Sequence, residues 1–540
     1  MKKRNFFHSA GLTVTVMMAA TLFAKALGLV RQMMTVGIFA ASMEGIAFSA
    51  ASKIPLAIFD MLFSTAILGA FLPIYKGRLQ ENNEKAKCFS SSFLSAVALV
   101  TALIAVLGVI FAEFIIGISA PELDRETASL AATLLRIMFP SMIFAGMAYT
   151  LIGILQSHEK FILPALVSAV SNLIMIGYLA FCSVPADKNA AIGLAFAYLI
   201  SWAAQFMTLA VPLIREKAFP VMTFYVFHAD TALALRRALP VMFGSWLIPM
   251  ITLIANAFSS FVDSGAFTAD GVKGAAIVVY ENAFSDFSIA AGLLTYGVCN
   301  YIFPKLSASA AKKDGEGFSR LIGIGLTVSL ALILPIAVAV FLLSEEIISF
   351  LYLRGNVTPA LAHAAAISLR ALILAMPAYG LTELFSRVCY SAGKVRFPMI
   401  SSLTGIAVTA LMGAIFLQAG ALSVATVALA ASLGQIAAAL ILFILCFLYF
   451  PGVRTVLSLP KLAAIAAGTL LSGCAMTVFK RILKQFLNFS HTFENFMTIT
   501  IVFTVGIVVY LLWLVMIKPV FADMLRQTMR KGGNSVYEQK

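Results

Sequence analysis

Stretches of about 20 apolar residues follow one another along all 540 positions of this chain, and the connections between them are too short to form a soluble domain. Inside hydrocarbon every backbone N–H and C=O must find a partner within the protein. Repeated runs of this length therefore predict helices that cross a membrane. About fourteen spans are expected, near 10–39, 44–74, 89–118, 127–156, 161–182, 190–214, 233–261, 275–303, 321–343, 360–389, 397–417, 421–449, 461–479 and 496–517. The expected fold class is all-α integral membrane. Several runs exceed the bilayer thickness, so tilts and breaks are expected. Pro55 and Pro73 should break the second span, and Pro240 and Pro249 the seventh.

Only 11% of the residues are charged, and the net charge is +14. In a soluble protein that excess would suggest nucleic-acid binding. Here the Lys and Arg residues lie mostly in short loops on one side of the spans, as the positive-inside rule describes, and nucleic acid is not expected as a partner. The bias predicts that both termini are cytoplasmic. Lys480, Arg481 and Lys484 violate it by falling on the outer side. Met1-Lys2-Lys3-Arg4 and the apolar run behind it mimic a secretory signal, but the run continues past Lys25 to about Phe39 and reads as a retained first span.

Catalytic signatures are missing from the sequence: it has no P-loop, no HExxH, no GxSxG and no DDxxD run. The six cysteines form no CxxC or Cys/His metal spacing and read as apolar fillers, and the five histidines are isolated. No metal site or cofactor is expected.

An internal repeat is visible. Arg136–Ser168 reads RIMFPSMIFAGMAYTLIGILQSHEKFILPALVS, and Arg370–Ser402 reads RALILAMPAYGLTELFSRVCYSAGKVRFPMISS. At a constant offset of 234, Arg136, Met142, Gly146, Ser157, Lys160, Pro164 and Ser168 match Arg370, Met376, Gly380, Ser391, Lys394, Pro398 and Ser402. An even number of spans lies between the copies, so the repeat is parallel. The expected organisation is an N-terminal lobe at 1–217, a second six-helix lobe at 218–457, two extra helices at 458–520 and a cytoplasmic tail at 521–540.

Ionisable groups inside spans are costly, about 2.5–3.5 kcal/mol each at a helix centre, and usually face a polar cavity. Lys25 and Arg31 lie on the first span and Lys53 on the second, with few acids nearby, which points to an anionic ligand such as a phosphate. Snorkelling to headgroups is the competing account. Glu281 and Asp286 on the eighth span, and Glu383 on the tenth, are candidates to bind a coupling ion, Na⁺ or H⁺. They could instead pair with Arg370, Arg387 or a loop charge.

Several segments resemble the MurJ (MviN) family of lipid II flippases within the MOP exporter superfamily. They are FAKALGLVRQ at 23–32, AFSAASKIP at 47–55, GAFLPIYKGRL at 69–79, LLRIMFP at 134–140, GILQSHEKFILPAL at 153–166 and YIFPKLSASAAKKDGEGFSRLIGIGL at 301–326, and they fall in the family's order. The resemblance implies an alternating-access carrier in the bacterial cytoplasmic membrane. It would move an undecaprenyl-pyrophosphate-linked disaccharide-pentapeptide between leaflets, hold the lipid tail against its last two helices, and work beside cell-wall synthesis proteins. It places Lys25, Arg31 and Lys53 at the family's cavity cations. Gln32 and Ile46 stand where the family carries aspartates, Phe59 where it carries an arginine, and Glu281 near a missing arginine.

Four functions remain open at this point: a lipid-linked oligosaccharide flippase, for lipid II or another polyprenyl-linked glycan; a cation-coupled multidrug antiporter of the same superfamily; a membrane glycosyltransferase; and a non-transporting scaffold.

Overall fold

The computed structural model describes residues 2–64, 71–181, 187–223, 229–263, 265, 273–450, 453, 459–486 and 491–516. The expected tail at 521–540, Cys182 and His228 lie outside them. All the regular structure among them is helical. In chain order the helices are α1 (Lys2–Phe39), α2 (Met43–Phe59), α3 (Leu72–Glu81), α4 (Asn83–Ile110), α5 (Ala112–Ser119), α6 (Arg125–Met138), α7 (Ser141–Ser157), α8 (Ile162–Phe181) and α9 (Lys188–Arg215). They continue as α10 (Ala229–Gly244), α11 (Leu247–Ser260), α12 (Ala275–Ala311), α13 (Gly315–Tyr352), α14 (Pro359–Ile373), α15 (Met376–Ser391), α16 (Arg396–Gln418), α17 (Val424–Tyr449), α18 (Leu459–Phe486) and α19 (His491–Met516).

Among the described residues, 11 helices are long and apolar enough to cross a membrane, or up to 12 if the pair α14–α15, bent by 44°, is one span. The expected spans at 233–261 and 275–303 are not in that number. They are nonetheless helical, as α10, α11 and the first part of α12.

Proline acts where a helix can end. Pro55 sits inside α2 without breaking it; the break comes at a π-helical turn, Asp60–Ser64. Pro73 then opens α3, at a position where its missing N–H costs nothing. The Met61 carbonyl in the π turn accepts a hydrogen bond from Trp246 Nε1 at 2.9 Å. The seventh run breaks between α10 and α11, with Pro249 in the first turn of α11.

The chain divides into two compact units. The first comprises 1–282, 352–361 and 409–427, and the second 283–351, 362–408 and 428–540. The first unit therefore includes α10, α11 and the start of α12, elements that a division at 217/218 gives to the second lobe. Its core is an aromatic seam centred on Phe71, whose ring lies 5.3 Å from Tyr75, 5.3 Å from Phe89 and 4.8 Å from Phe93. Gly153 lets α7 pass this seam, because a Cβ there would come within 2.9 Å of the Phe71 ring.

In the second unit, Leu306, Leu384, Phe385, Val388 and Leu442 form a buried core with Cys299, Cys389 and Cys446, and the Cys389 and Cys446 sulfurs are 3.4 Å apart. Helices α18 and α19 are tied by Ser472 Oγ to the Gly506 carbonyl and by Trp513 Nε1 to the Ala464 carbonyl, each at 2.8 Å. With α13 they enclose an apolar cavity of about 390 Å³ lined by Val328, Pro335, Met476, Phe503, Tyr510 and Leu514.

The internal repeat is present in the backbone. Helices α7 and α15 end at Ser157 and Ser391, α8 and α16 begin at Ile162 and Arg396, and α9 and α17 end at Arg215 and Tyr449, each pair at the offset of 234. The turn after α7 puts Glu159 at φ 60° and bonds Lys160 N to the Leu155 carbonyl at 2.9 Å. The turn after α15 puts Gly393 at φ 70° and bonds Lys394 N to the Cys389 carbonyl at 2.8 Å. Both are Schellman closures, in which a left-handed residue lets the chain cap its own helix.

Candidate functional site

Helix α1 is seated on α8. Asn172 Nδ2 donates to the Ala24 carbonyl at 3.0 Å, beside Lys25. Further along α1, Arg31 Nη1 reaches Met175 Sδ at 3.4 Å. A thioether is a weak acceptor. Arg31 Nε is buried and has no hydrogen-bond partner among the described residues. Lys25 is half-buried and likewise takes part in no hydrogen bond or ion pair among them. Two cations on one helix are thus held inside the protein, and no acid among the described residues pairs with either.

Lys53 behaves differently. Its ammonium lies 3.3 Å from Glu281 Oε2, with the lysine side chain 41% exposed and the glutamate 5%. Glu281 Oε1 also accepts a hydrogen bond from Asn256 Nδ2 at 2.7 Å. One residue on, Asn282 Oδ1 accepts from Gln32 Nε2 at 3.1 Å. Residues of α1, α2, α11 and α12 therefore meet in one polar junction, within the first unit.

The three acids named from sequence do not gather. Glu281 belongs to Lys53. Glu383 is 3.5 Å from Arg387, one turn along α15 in the second unit. Asp286 is buried in that unit. No group of three or more His, Cys, Asp or Glu residues suited to a metal ion occurs among the described residues. Of the departures from the family pattern, Ile46 and Phe59 are fully buried, with Phe59 packed on Tyr149 at 5.0 Å, while Gln32 and Glu281 both join the junction.

Sequence reasoning missed Asn256 and Asn282, because it weighed only charges. Amides inside apolar runs were the available signal. It also missed Glu346, which pairs with two of the three cations expected on the outer side. Lys480 Nζ lies 2.7 Å from Glu346 Oε2 and donates to the Leu342 carbonyl at 2.6 Å, and Lys484 Nζ is 3.4 Å from Glu346 Oε1.

A polytopic helical protein holding cations that no acid among the described residues contacts has the build of a membrane carrier. The chain belongs to the lipid II flippase MurJ family, whose profile matches residues 35–497. One relative, described as a probable lipid II flippase MurJ from Buchnera aphidicola subsp. Schizaphis graminum, is 27% identical over 399 residues, covering 73% of this chain and 75% of its own. The solved structure of a lipid II flippase MurJ in an inward closed conformation shares the fold, with a TM-score of 0.74 at 23% identity, over 94% of this chain and 100% of that one. An inward-facing multidrug resistance MATE transporter of the MOP superfamily shares it more distantly, with a TM-score of 0.59 at 14% identity, over 82% of this chain and 96% of that one.

Proposed function

We propose that this protein is an alternating-access flippase that carries a polyprenyl-pyrophosphate-linked peptidoglycan precursor, lipid II, from the inner to the outer leaflet of the bacterial cytoplasmic membrane. The observation that carries the reading is Arg31, whose guanidinium is held inside the first unit with a free Nε and a thioether as its partner. An unpaired buried cation is unfavourable in the empty protein. It becomes favourable when a compact anion arrives, because each charge-assisted hydrogen bond contributes about 1.5–3 kcal/mol. Lys25 adds a second cation on the same helix. The apolar cavity against α18 and α19 suits a prenyl chain, so only the headgroup need cross the polar path. Both termini would lie in the cytoplasm, and alternating access would open the headgroup's path to each leaflet in turn.

A second cargo, another polyprenyl-linked glycan, is favoured by Ile46 and Phe59. These are buried apolar residues at positions where the family resemblance expects charge. Expression of this chain in cells depleted of their essential lipid II flippase separates the two. Restored growth is expected. No growth from a chain that inserts normally would favour the other glycan.

A further inference from the structure

The reading above leaves one residue of the junction unexplained: an acid placed against a candidate ligand for an anion. Glu281 is buried, is oriented by Asn256, and contacts the ammonium of Lys53, whose own side chain is substantially exposed. The arrangement is asymmetric. The carboxylate is buried and bonded to Asn256, while the lysine side chain is largely open. Its neighbour Asn282 is tied to Gln32 on α1, the helix that carries Lys25 and Arg31. Glu281 is therefore one residue from a contact with the helix that carries Lys25 and Arg31.

We infer that Glu281 is a specificity-determining counter-anion for the flipping reaction: it holds Lys53 neutralised in the empty carrier, so that an anionic headgroup must draw Lys53 out of this ion pair to engage it. The inference rests on the anion-binding reading above. Its physical consequence is a filter. A headgroup with one negative charge gains Lys25 and Arg31 alone. A pyrophosphate carries enough charge to compete with Glu281 for Lys53 as well. A competing internal anion weakens all ligands but weakens singly charged ones most, which is discrimination by an opposing element. It also eases release, because Glu281 recaptures Lys53 as the headgroup leaves.

A role confined to holding Lys53 in place predicts the opposite sign on mutation, and that makes the two separable. Binding of farnesyl pyrophosphate to the purified full-length protein in detergent is the measurement. Farnesol serves as the control without a headgroup, and thermal unfolding checks each variant for folding. E281Q should bind about tenfold more tightly than the unsubstituted protein, because Lys53 is released. K53A should bind more weakly, since Glu281 then repels the anion unopposed. The double variant K53A/E281Q should bind more tightly than K53A and unfold at a higher temperature.

If the unsubstituted protein binds farnesyl pyrophosphate and R31A weakens it, while folded E281Q binds equally or less tightly, the counter-anion role is overturned and the flippase reading stands. If the folded protein does not distinguish farnesyl pyrophosphate from farnesol, the anion-binding reading fails and this inference fails with it.

Discussion

Arg31 in the first unit and Glu346 in the second are both ionisable groups inside the protein, and their surroundings differ. Arg31 has a thioether on one nitrogen and nothing on Nε among the described residues. Glu346 has Lys480 on one oxygen and Lys484 on the other, and Lys480 also reaches the Leu342 carbonyl. Nearby, Arg370 Nε donates to Ser344 Oγ at 2.6 Å, and His363 Nδ1 is 2.6 Å from Glu345. Arg31 is left without an acid among the described residues, and Glu346 has a cation on each oxygen. A group with its partners in place is a structural fastening, here of α18 to α13. A group without them is held ready for something that arrives later.

The largest effect expected of this contrast is on stability. Glu346→Ala strands Lys480, which is only 17% exposed, and breaking a buried pair by removing one partner costs about 3–5 kcal/mol. Thermal unfolding in detergent should therefore fall steeply for Glu346→Ala and hardly move for Arg31→Ala. Equal losses in the two variants would erase the distinction between fastening and site.

The repeat offers a gentler test. Gly393 and Glu159 hold the same left-handed turn at φ 70° and φ 60°. A residue with a Cβ is strained there by about 1–2 kcal/mol. Gly393→Ala should lower stability by about 1 kcal/mol and Glu159→Gly should raise it by a similar amount. Opposite or absent shifts would show that the two turns are alike in outline only.

The smallest effect belongs to the surface. Arg78 bridges Asp230 with two 2.8 Å hydrogen bonds and reaches Glu81, which also contacts Lys85 at 3.1 Å. Hydrogen bonds from Lys85 and then Arg78 hold the Glu81 carboxyl below its ordinary value of 4.5. A depressed carboxylate stabilises the fold above its ordinary value, and that contribution is lost as the pH falls through its lowered one. Glu81→Gln should therefore lower stability slightly at neutral pH, leave it unchanged in acid below the lowered value, and so flatten the acid limb of the stability profile.

Much of the fold was legible because hydrocarbon enforces it. Apolar runs became helices, and the offset of 234 reappeared in helix ends and turn hydrogen bonds. Pro55 was harder to read, because the helix carries the proline and breaks only at the π turn that begins at Asp60. The site was legible in part. Lys25 and Arg31 could be found as charges in an apolar context. The Lys53–Glu281 and Lys480–Glu346 pairs could not, because each joins residues far apart in sequence, and only packing decides which distant charges meet. Asn256 carries no charge, so its role in orienting Glu281 stayed hidden until the helices were placed.

The central claim is that Lys25 and Arg31 await an anion, and transport tests it most directly. Purified protein in liposomes should move a fluorescent polyprenyl-pyrophosphate-linked glycan between leaflets. The Lys25→Ala/Arg31→Ala variant should do so at least about tenfold more slowly, since it loses two charge-assisted contacts, while inserting and unfolding like the unsubstituted chain. Lys25→Arg should retain most of the rate. A folded double variant that flips its substrate at the normal rate would contradict the account and leave the two cations as lipid-facing side chains that snorkel to headgroups.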